Sequence, residues 1–178
     1  MSDKEFEFLR LSYKEVDFLI NRKQFFASMI VNDVKSVSSA CSFIHSIMPY
    51  NEQNVLLYDL DFFIQASFKN VKRIEEASHN SLAIITDIQA MSDKNKSILK
   101  KIKFKGKSLI DNGHFGFVLH IQSEIIMIPI EHLKLFPQNV RTFFNLKGIL
   151  GCRFIDKRIQ YVIDIDTILS NSIMENLQ

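Results

Sequence analysis

Two pairs of aspartates stand in nearly the same setting. "QYVIDIDTIL" (Gln160–Leu169) closes a strand-like run with Asp164-Ile-Asp166, and 105 residues earlier "NVLLYDLDFFI" (Asn54–Ile64) does the same with Asp59-Leu-Asp61. An Asp-x-Asp triplet can hold a divalent cation or a sugar nucleotide when further acidic or His ligands converge on it within a strand-helix nucleotide scaffold. The sequence supplies neither. His45, His79, His114, His120 and His132 are scattered, with no His-x-x-x-His and no metal-finger spacing to Cys41 or Cys152. There is no Gly-x-Ser-x-Gly elbow, and the five glycines form no phosphate-cradling loop. Glu131 and His132 are adjacent in "IPIEHLKLFP", a run that reads as a short helix or turn, and nothing there supplies a substrate pocket. No catalytic, metal-binding or cofactor-binding residue is therefore assigned. An Asp at a strand exit can accept hydrogen bonds from the first amides of a following turn, so Asp166 is expected to act as an N-cap.

The elements that position these residues are mostly strands. Short apolar, β-branched runs separated by polar turns mark a mainly β domain. The expected strands are Phe6–Leu11, Val16–Ile20, Phe25–Val31, Val55–Tyr58, Leu82–Ile88, Phe115–Ile121, Ile125–Ile128, Leu146–Phe154 and Ile159–Asp164. "NRK" (Asn21–Lys23) and "IDKR" (Ile155–Arg158) are expected to turn two hairpins. "SDKNKSILKKIKF" (Ser92–Phe104) offers an N-cap at Ser92 or Asp93 and apolar residues at near-helical spacing, and reads either as a short helix or as a loop insertion. Small residues follow Phe in both "FFASMIVNDVKSV" and "HFGFVLHIQSEIIMI", at Ala27 and Gly116, so the echo extends upstream of the aspartates. A period this long is no solenoid repeat and fits two related halves of one domain.

Composition narrows the class. The 178 residues are enough for one self-sufficient core, and 47% hydrophobic with 24% charged residues is ordinary for a globular chain. Two cysteines without paired spacing suit a reducing compartment, and no signal peptide or membrane-length apolar window is present, so a cytoplasmic location is expected. The net charge of +2 hides a local excess: Lys94, Lys96, Lys100, Lys101, Lys103, Lys105 and Lys107 fall within fourteen residues, and without these seven the charge would be −5. Such a run, with Lys100, Lys101, Lys103 and Lys105 as the candidate anion-binding residues, can attract phosphates, anionic lipid or an acidic partner. Its plainer reading is a solvated loop whose lysines protect a sheet edge.

The chain resembles the CheW-like family, the scaffold proteins of bacterial chemotaxis. The resemblance is carried by "VDFLINRKQFFASMIVNDVKSV" (Val16–Val37), "IHSIMPYNEQNVLLYDLDFFI" (Ile44–Ile64), "FGFVLHIQSEIIMIPIEHL" (Phe115–Leu133) and "LKGILGCRFIDKRIQYVIDIDTIL" (Leu146–Leu169). It implies two small five-stranded SH3-like β-barrels sharing a hydrophobic interface, with short helices, formed by residues 16–169. Residues 1–15 would be an N-terminal extension, about 89–113 a Lys-rich insertion, and 170–178 a tail. It further implies a non-catalytic adaptor without cofactors that binds the regulatory domain of the histidine kinase CheA and the cytoplasmic tip of chemoreceptors. By alignment to Asp59, the family's Asn-Leu-Arg-Gly falls on Pro49, Tyr50, Asn51 and Glu52, and its Val-Asp in the second half on Leu119 and His120. An always-charged donor fork is thus a neutral amide at Asn51, and a glycine is Glu52. The resemblance puts the partner surface at Asn51, Glu52, Val55 and Tyr58. The alternative is a small β-barrel module that binds nucleic acid or anionic surfaces through Lys94–Lys107.

Overall fold

The structure, a computed structural model, describes residues 5–31, 35–36, 44–68, 71, 81–101, 103–104, 106–108, 111, 114–119 and 123–176. Thirteen strands are described: β1 (Glu5–Ser12), β2 (Val16–Asn21), β3 (Ala27–Val31), β4 (Lys35–Ser36), β5 (Ile44–Tyr50), β6 (Gln53–Asp59), β7 (Ser81–Asp87), β8 (Lys103–Phe104), β9 (Lys107–Ser108), β10 (His114–Leu119), β11 (Ser123–Pro129), β12 (Ile149–Ile155) and β13 (Arg158–Ile163). Four helices join them: α1 (Leu60–Ser67), α2 (Asp93–Lys101), α3 (Gln138–Leu146) and α4 (Ile165–Asn176).

Eleven of the strands build two curled sheets, the two small barrels expected of the chain, and β8 pairs with β9 in a separate two-stranded sheet. Barrel A has the order β11-β1-β2-β13-β12; barrel B has β3-β7-β10-β6-β5-β4, its sixth strand only two residues long. Each barrel has its own interior. Phe8, Leu19, Ile128 and Val162 fill barrel A, and Met48, Val55, Leu57, Ala83, Ile85 and Val118 fill barrel B. Between them lies the largest cluster, which includes Leu9, Phe18, Tyr58, Phe63, Phe115, Phe117 and Ile168. Strands facing two cores are buried on both sides, so β2, β6 and β10 read as continuous apolar runs without alternation. Gly116 on β10 is small for a packing reason: a Cβ there would collide with the Leu57 side chain on the parallel neighbour β6.

Neither barrel is a continuous stretch of sequence. The hairpin β1–β2 belongs with the C-terminal strands, because β2 pairs in parallel with β13 from Val16↔Ile159 to Ile20↔Ile163. Residues 5–12 are consequently no extension but a strand paired on both sides, to β11 and β2. At the other end α4 continues through Asn176, so most of the expected tail is helix.

The Asn21–Lys23 hairpin is also corrected. Asn21 keeps an extended φ of −61°, and its side chain accepts a hydrogen bond from the Lys23 amide (2.9 Å) to cap a 3-10 turn, Arg22–Gln24. That turn carries the chain from barrel A to barrel B, where β3 pairs with β7 and not with β2. Gln24 then clamps the crossing, donating to the Ile163 carbonyl (3.0 Å) and accepting from the Ile165 amide (2.8 Å). The expected strand start at Leu146 gives way to helix α3, and β12 begins at Ile149.

Candidate interaction surface

The aspartate echo is structural repetition. In each copy a hairpin is followed by a helix: β5–β6–α1 in barrel B and β12–β13–α4 beside barrel A. Asp59 caps α1 by accepting from the Phe62 amide (3.2 Å). Its counterpart is Asp164, which accepts from the Asp166 amide (3.3 Å) and the Thr167 hydroxyl (2.5 Å). Asp164, and not Asp166, is thus the cap of α4. Asp166 lies inside the first turn and accepts from Asn95 Nδ2 (2.6 Å) and the Ser92 amide (3.2 Å), tying α4 to α2. Asp61 is fully buried and accepts from Tyr13 Oη (2.5 Å). A cleft of about 220 Å³ does bring Asp87, Asp164 and Asp166 together with Lys23, but Asp87 also caps a turn, accepting from the Gln89 amide (2.8 Å). Among the described residues no cluster of His, Cys, Asp and Glu could hold a metal ion.

The two hairpin tips repeat as well. Asn51-Glu52 joins β5 to β6 and Asp156-Lys157 joins β12 to β13, 105 residues apart, and all four residues have positive φ (45°, 63°, 49° and 62°). These are two-residue turns of the twist that suits a hairpin, which requires positive φ at both central positions. The "IDKR" expectation holds, with Ile155 opposite Arg158. Glu52 stands where the resemblance places a glycine, and its backbone adopts the left-handed conformation regardless. A non-glycine residue there costs about 1–2 kcal/mol, partly offset by the entropy a glycine would lose on folding. Glu52→Gly is accordingly expected to stabilise the fold by about 0.5–1 kcal/mol, read as a higher denaturant midpoint at unchanged slope.

Asn51 and Glu52 are exposed at this tip, where a partner could reach them. Val55 and Tyr58 are not: both are fully buried, Val55 inside barrel B and Tyr58 stacked on Phe115 (centroids 4.2 Å) in the inter-barrel core. They support the surface from beneath and cannot form it. Beside the tip, Tyr50 makes an edge contact with His114, which also lies against Phe26, exposed to 59%. His120 lies outside the described residues.

Apolar exposure concentrates around barrel A. Phe154 on β12 is 73% exposed and Leu135 69%, with Ile125 and Met127 on the outer face of β11. An open groove of about 720 Å³ runs over this barrel between Phe6, Phe8, Ile130, Leu133, Leu135 and Leu150. These residues gave no motif. A smaller hollow of about 410 Å³ brings Glu131, His132 and Cys152 beside Phe154, and no side-chain hydrogen bond joins the three among the described residues. Under β12, Arg153 donates to Gln160 (2.5 Å); burial, reinforced by the Arg10 charge, lowers its pKa.

No protein-family model and no curated protein sequence matches the chain. Among solved structures it is similar to the scaffolding protein TtCheW from Thermoanaerobacter tengcongensis, with a TM-score of 0.55 at 12% identity, over 93% of this chain and 92% of that one. The fold is CheW-like. The two CheW-like barrels, their shared core and the chain exchange between them therefore span almost the whole molecule, and α2 with β8–β9 is set beside that frame.

Of the lysine run, Lys94, Lys100 and Lys101 are exposed on α2 and Lys96 lies 3.9 Å from Asp93. Lys103 and Lys107 stand on the β8–β9 hairpin, and Lys105 lies outside the described residues. The run is no loop: Ile98 and Leu99 of α2 are buried in the inter-barrel core.

Proposed function

We propose that this protein is a non-catalytic scaffold of bacterial chemotaxis signalling, coupling chemoreceptors to the histidine kinase CheA through protein–protein contacts in the cytoplasm. The observation that carries the reading is the CheW-like fold over 93% of the chain, joined to the residues through which the sequence resembles that family. Two physical features support it. The triplet aspartates are engaged in caps and buried hydrogen bonds, which leaves them little freedom for acid–base or metal chemistry. Large apolar side chains meanwhile stand exposed around barrel A, as on surfaces that partners cover. Among the described residues no helix is long and apolar enough to cross a membrane.

The partners expected are the CheA regulatory domain and the cytoplasmic tip of a receptor, both from the same organism. Each, immobilised, is expected to retain the protein; retention by neither sinks the proposal. Asn51 tunes this coupling. Asn51→Arg restores an always-charged, bidentate donor at the exposed tip and is expected to tighten binding roughly tenfold, measurable by calorimetric titration. An unchanged affinity would take the tip out of the interface.

A further inference from the structure

We propose that α2 and the β8–β9 hairpin form an electrostatic docking face for an anionic phospholipid surface. Between residues 92 and 113 the sequence sets seven lysines against two acids, Asp93 and Asp111. A solvated loop would leave such charge on a floppy tether. Here it is mounted on a built platform. Asn95, Ile98 and Leu99 bury one side of α2; Lys94 and Lys101 are exposed on one stripe along its flank, and Lys100 is exposed about 100° further round, away from the buried side. The hairpin is tied to the end of that helix: the single Ser108 hydroxyl proton is shared between the carbonyls of Lys100 (2.8 Å) and Leu99 (3.2 Å) in the last turn. The register sets Lys103 opposite Ser108 and Phe104 opposite Lys107. Gly106, at the turn, has positive φ (82°), and a Cβ built on it would meet no heavy atom within 4 Å, so the tip stands clear of the body.

On α2 the charge is also largely unspent. Among the described residues the one ion pair of the segment is Lys96 with the exposed Asp93 at 3.9 Å, a distance and setting that contribute little. Electrostatic complementarity therefore favours an anionic partner, and the two polyanions to separate are nucleic acid and membrane. Single strands are held by a basic groove with several aromatic platforms on which successive bases stack. This segment offers one aromatic, Phe104, between Lys103 and Lys105. A lipid headgroup layer asks for less: a cluster of basic residues within a Debye length of the surface, each contributing additively, and an aromatic at interfacial depth. Lysine's compact ammonium suits such diffuse attraction, whereas bidentate phosphate recognition favours arginine, and the run contains none.

The test is co-sedimentation of the full chain with vesicles of phosphatidylcholine containing about a third phosphatidylserine, against vesicles of phosphatidylcholine alone. The protein is expected to pellet with the anionic vesicles at low salt, to stay in solution with the neutral ones, and to be released by about 0.5 M salt, where screening reaches within a few ångströms. The triple variant Lys94→Gln, Lys100→Gln, Lys101→Gln is expected to lower the partition coefficient on the order of a hundredfold. Its thermal midpoint should stay within about 2 °C of the parent, because these side chains are exposed on the helix. Absent or salt-insensitive binding to anionic vesicles, equal binding to neutral ones, or an unaffected triple variant would overturn the proposal. Tighter binding to a single-stranded oligonucleotide than to the anionic vesicles would also overturn it, in favour of nucleic acid. The outcome is independent of whether CheA or a receptor retains the protein.

Discussion

Asn95→Ala is expected to destabilise the fold by about 3 kcal/mol, seen as a lower denaturant midpoint with little change in slope. Asn95 is fully buried on α2, and its amide is saturated from one side by α4. Nδ2 donates to the Asp166 carbonyl (2.7 Å) and to Asp166 Oδ1 (2.6 Å), while Oδ1 accepts from the Ser170 hydroxyl (2.6 Å). Truncation removes all three bonds and leaves the buried Ser170 hydroxyl without this acceptor. Each orphaned buried polar group costs about 1–3 kcal/mol, well above the net gain of an average hydrogen bond. Ser170→Ala, which deletes one member and leaves the two bonds to Asp166, should cost about 1 kcal/mol. The pair of single variants with the double variant then forms a cycle, and a coupling below about 0.5 kcal/mol would mean that the Ser170–Asn95 bond adds little to the attachment of α2.

Asp17→Ala strikes the seam of barrel A and is expected to cost about 2–4 kcal/mol. Asp17 is buried on β2, with Oδ1 accepting from Arg158 Nη2 (2.8 Å) and Oδ2 from Gln160 Nε2 (2.7 Å) on β13. Gln160 Oε1 in turn accepts from Arg153 Nε, so a single carboxylate meets one guanidinium directly and a second through one buried side-chain amide. Removing one partner of a buried charge pair is strongly destabilising because the other is left uncompensated. The loss is tempered here because Arg158 is 37% exposed and also donates to the carbonyls of Tyr13 and Lys14. Asp17→Asn keeps the shape, removes the charge and turns one accepting oxygen into a donor that would face Gln160 Nε2. It should recover at most about half of the deficit, through the one accepting oxygen it retains, and full recovery would show that neither the charge nor the second acceptor matters.

Much of the architecture can be read from residues, for identifiable reasons. The strand runs stand out because β-branched and aromatic residues cluster between polar turns, and the "IDKR" turn because Asp156-Lys157-Arg158 interrupts an apolar run, with Phe154-Ile155 before it and Ile159 after it. The aspartate echo reflects a real repetition, since each copy meets the same problem of ending a strand and starting a helix. The exposed tip at Asn51 and Glu52 is legible by resemblance. What escapes has a common cause in burial from two directions. The run Val55-Leu-Leu-Tyr58 is enclosed by the barrel B interior on one face and the inter-barrel core on the other, so no alternation separates surface from core and Val55 and Tyr58 are misplaced outward. Helix α1 is likewise apolar nearly all round and resembles a further strand. "NRK" has the composition of a hairpin turn, but the connection it makes is decided by Gln24 and the partners β13 and α4 on the far side of the sequence. The groove over barrel A is assembled from β1, the end of β2, β12, β13 and the segments following β2, β11 and β13, and no local spacing announces it.

The parallel seam between β2 and β13 also constrains how the chain comes off the ribosome. Asp17 waits for Gln160, 143 residues further on, before its strand has a partner on that side. Barrel B, whose strands lie between Ala27 and Leu119, can be complete while the second half of barrel A is still being synthesised. Until β13 emerges, β2 is an unpaired edge, apolar along Phe18-Leu-Ile20 and carrying Asp17 without its partner, the kind of surface that chaperones capture and aggregates recruit. Closure of barrel A is therefore a late, long-range event, and the N-terminal hairpin is the part of the nascent protein most in need of protection.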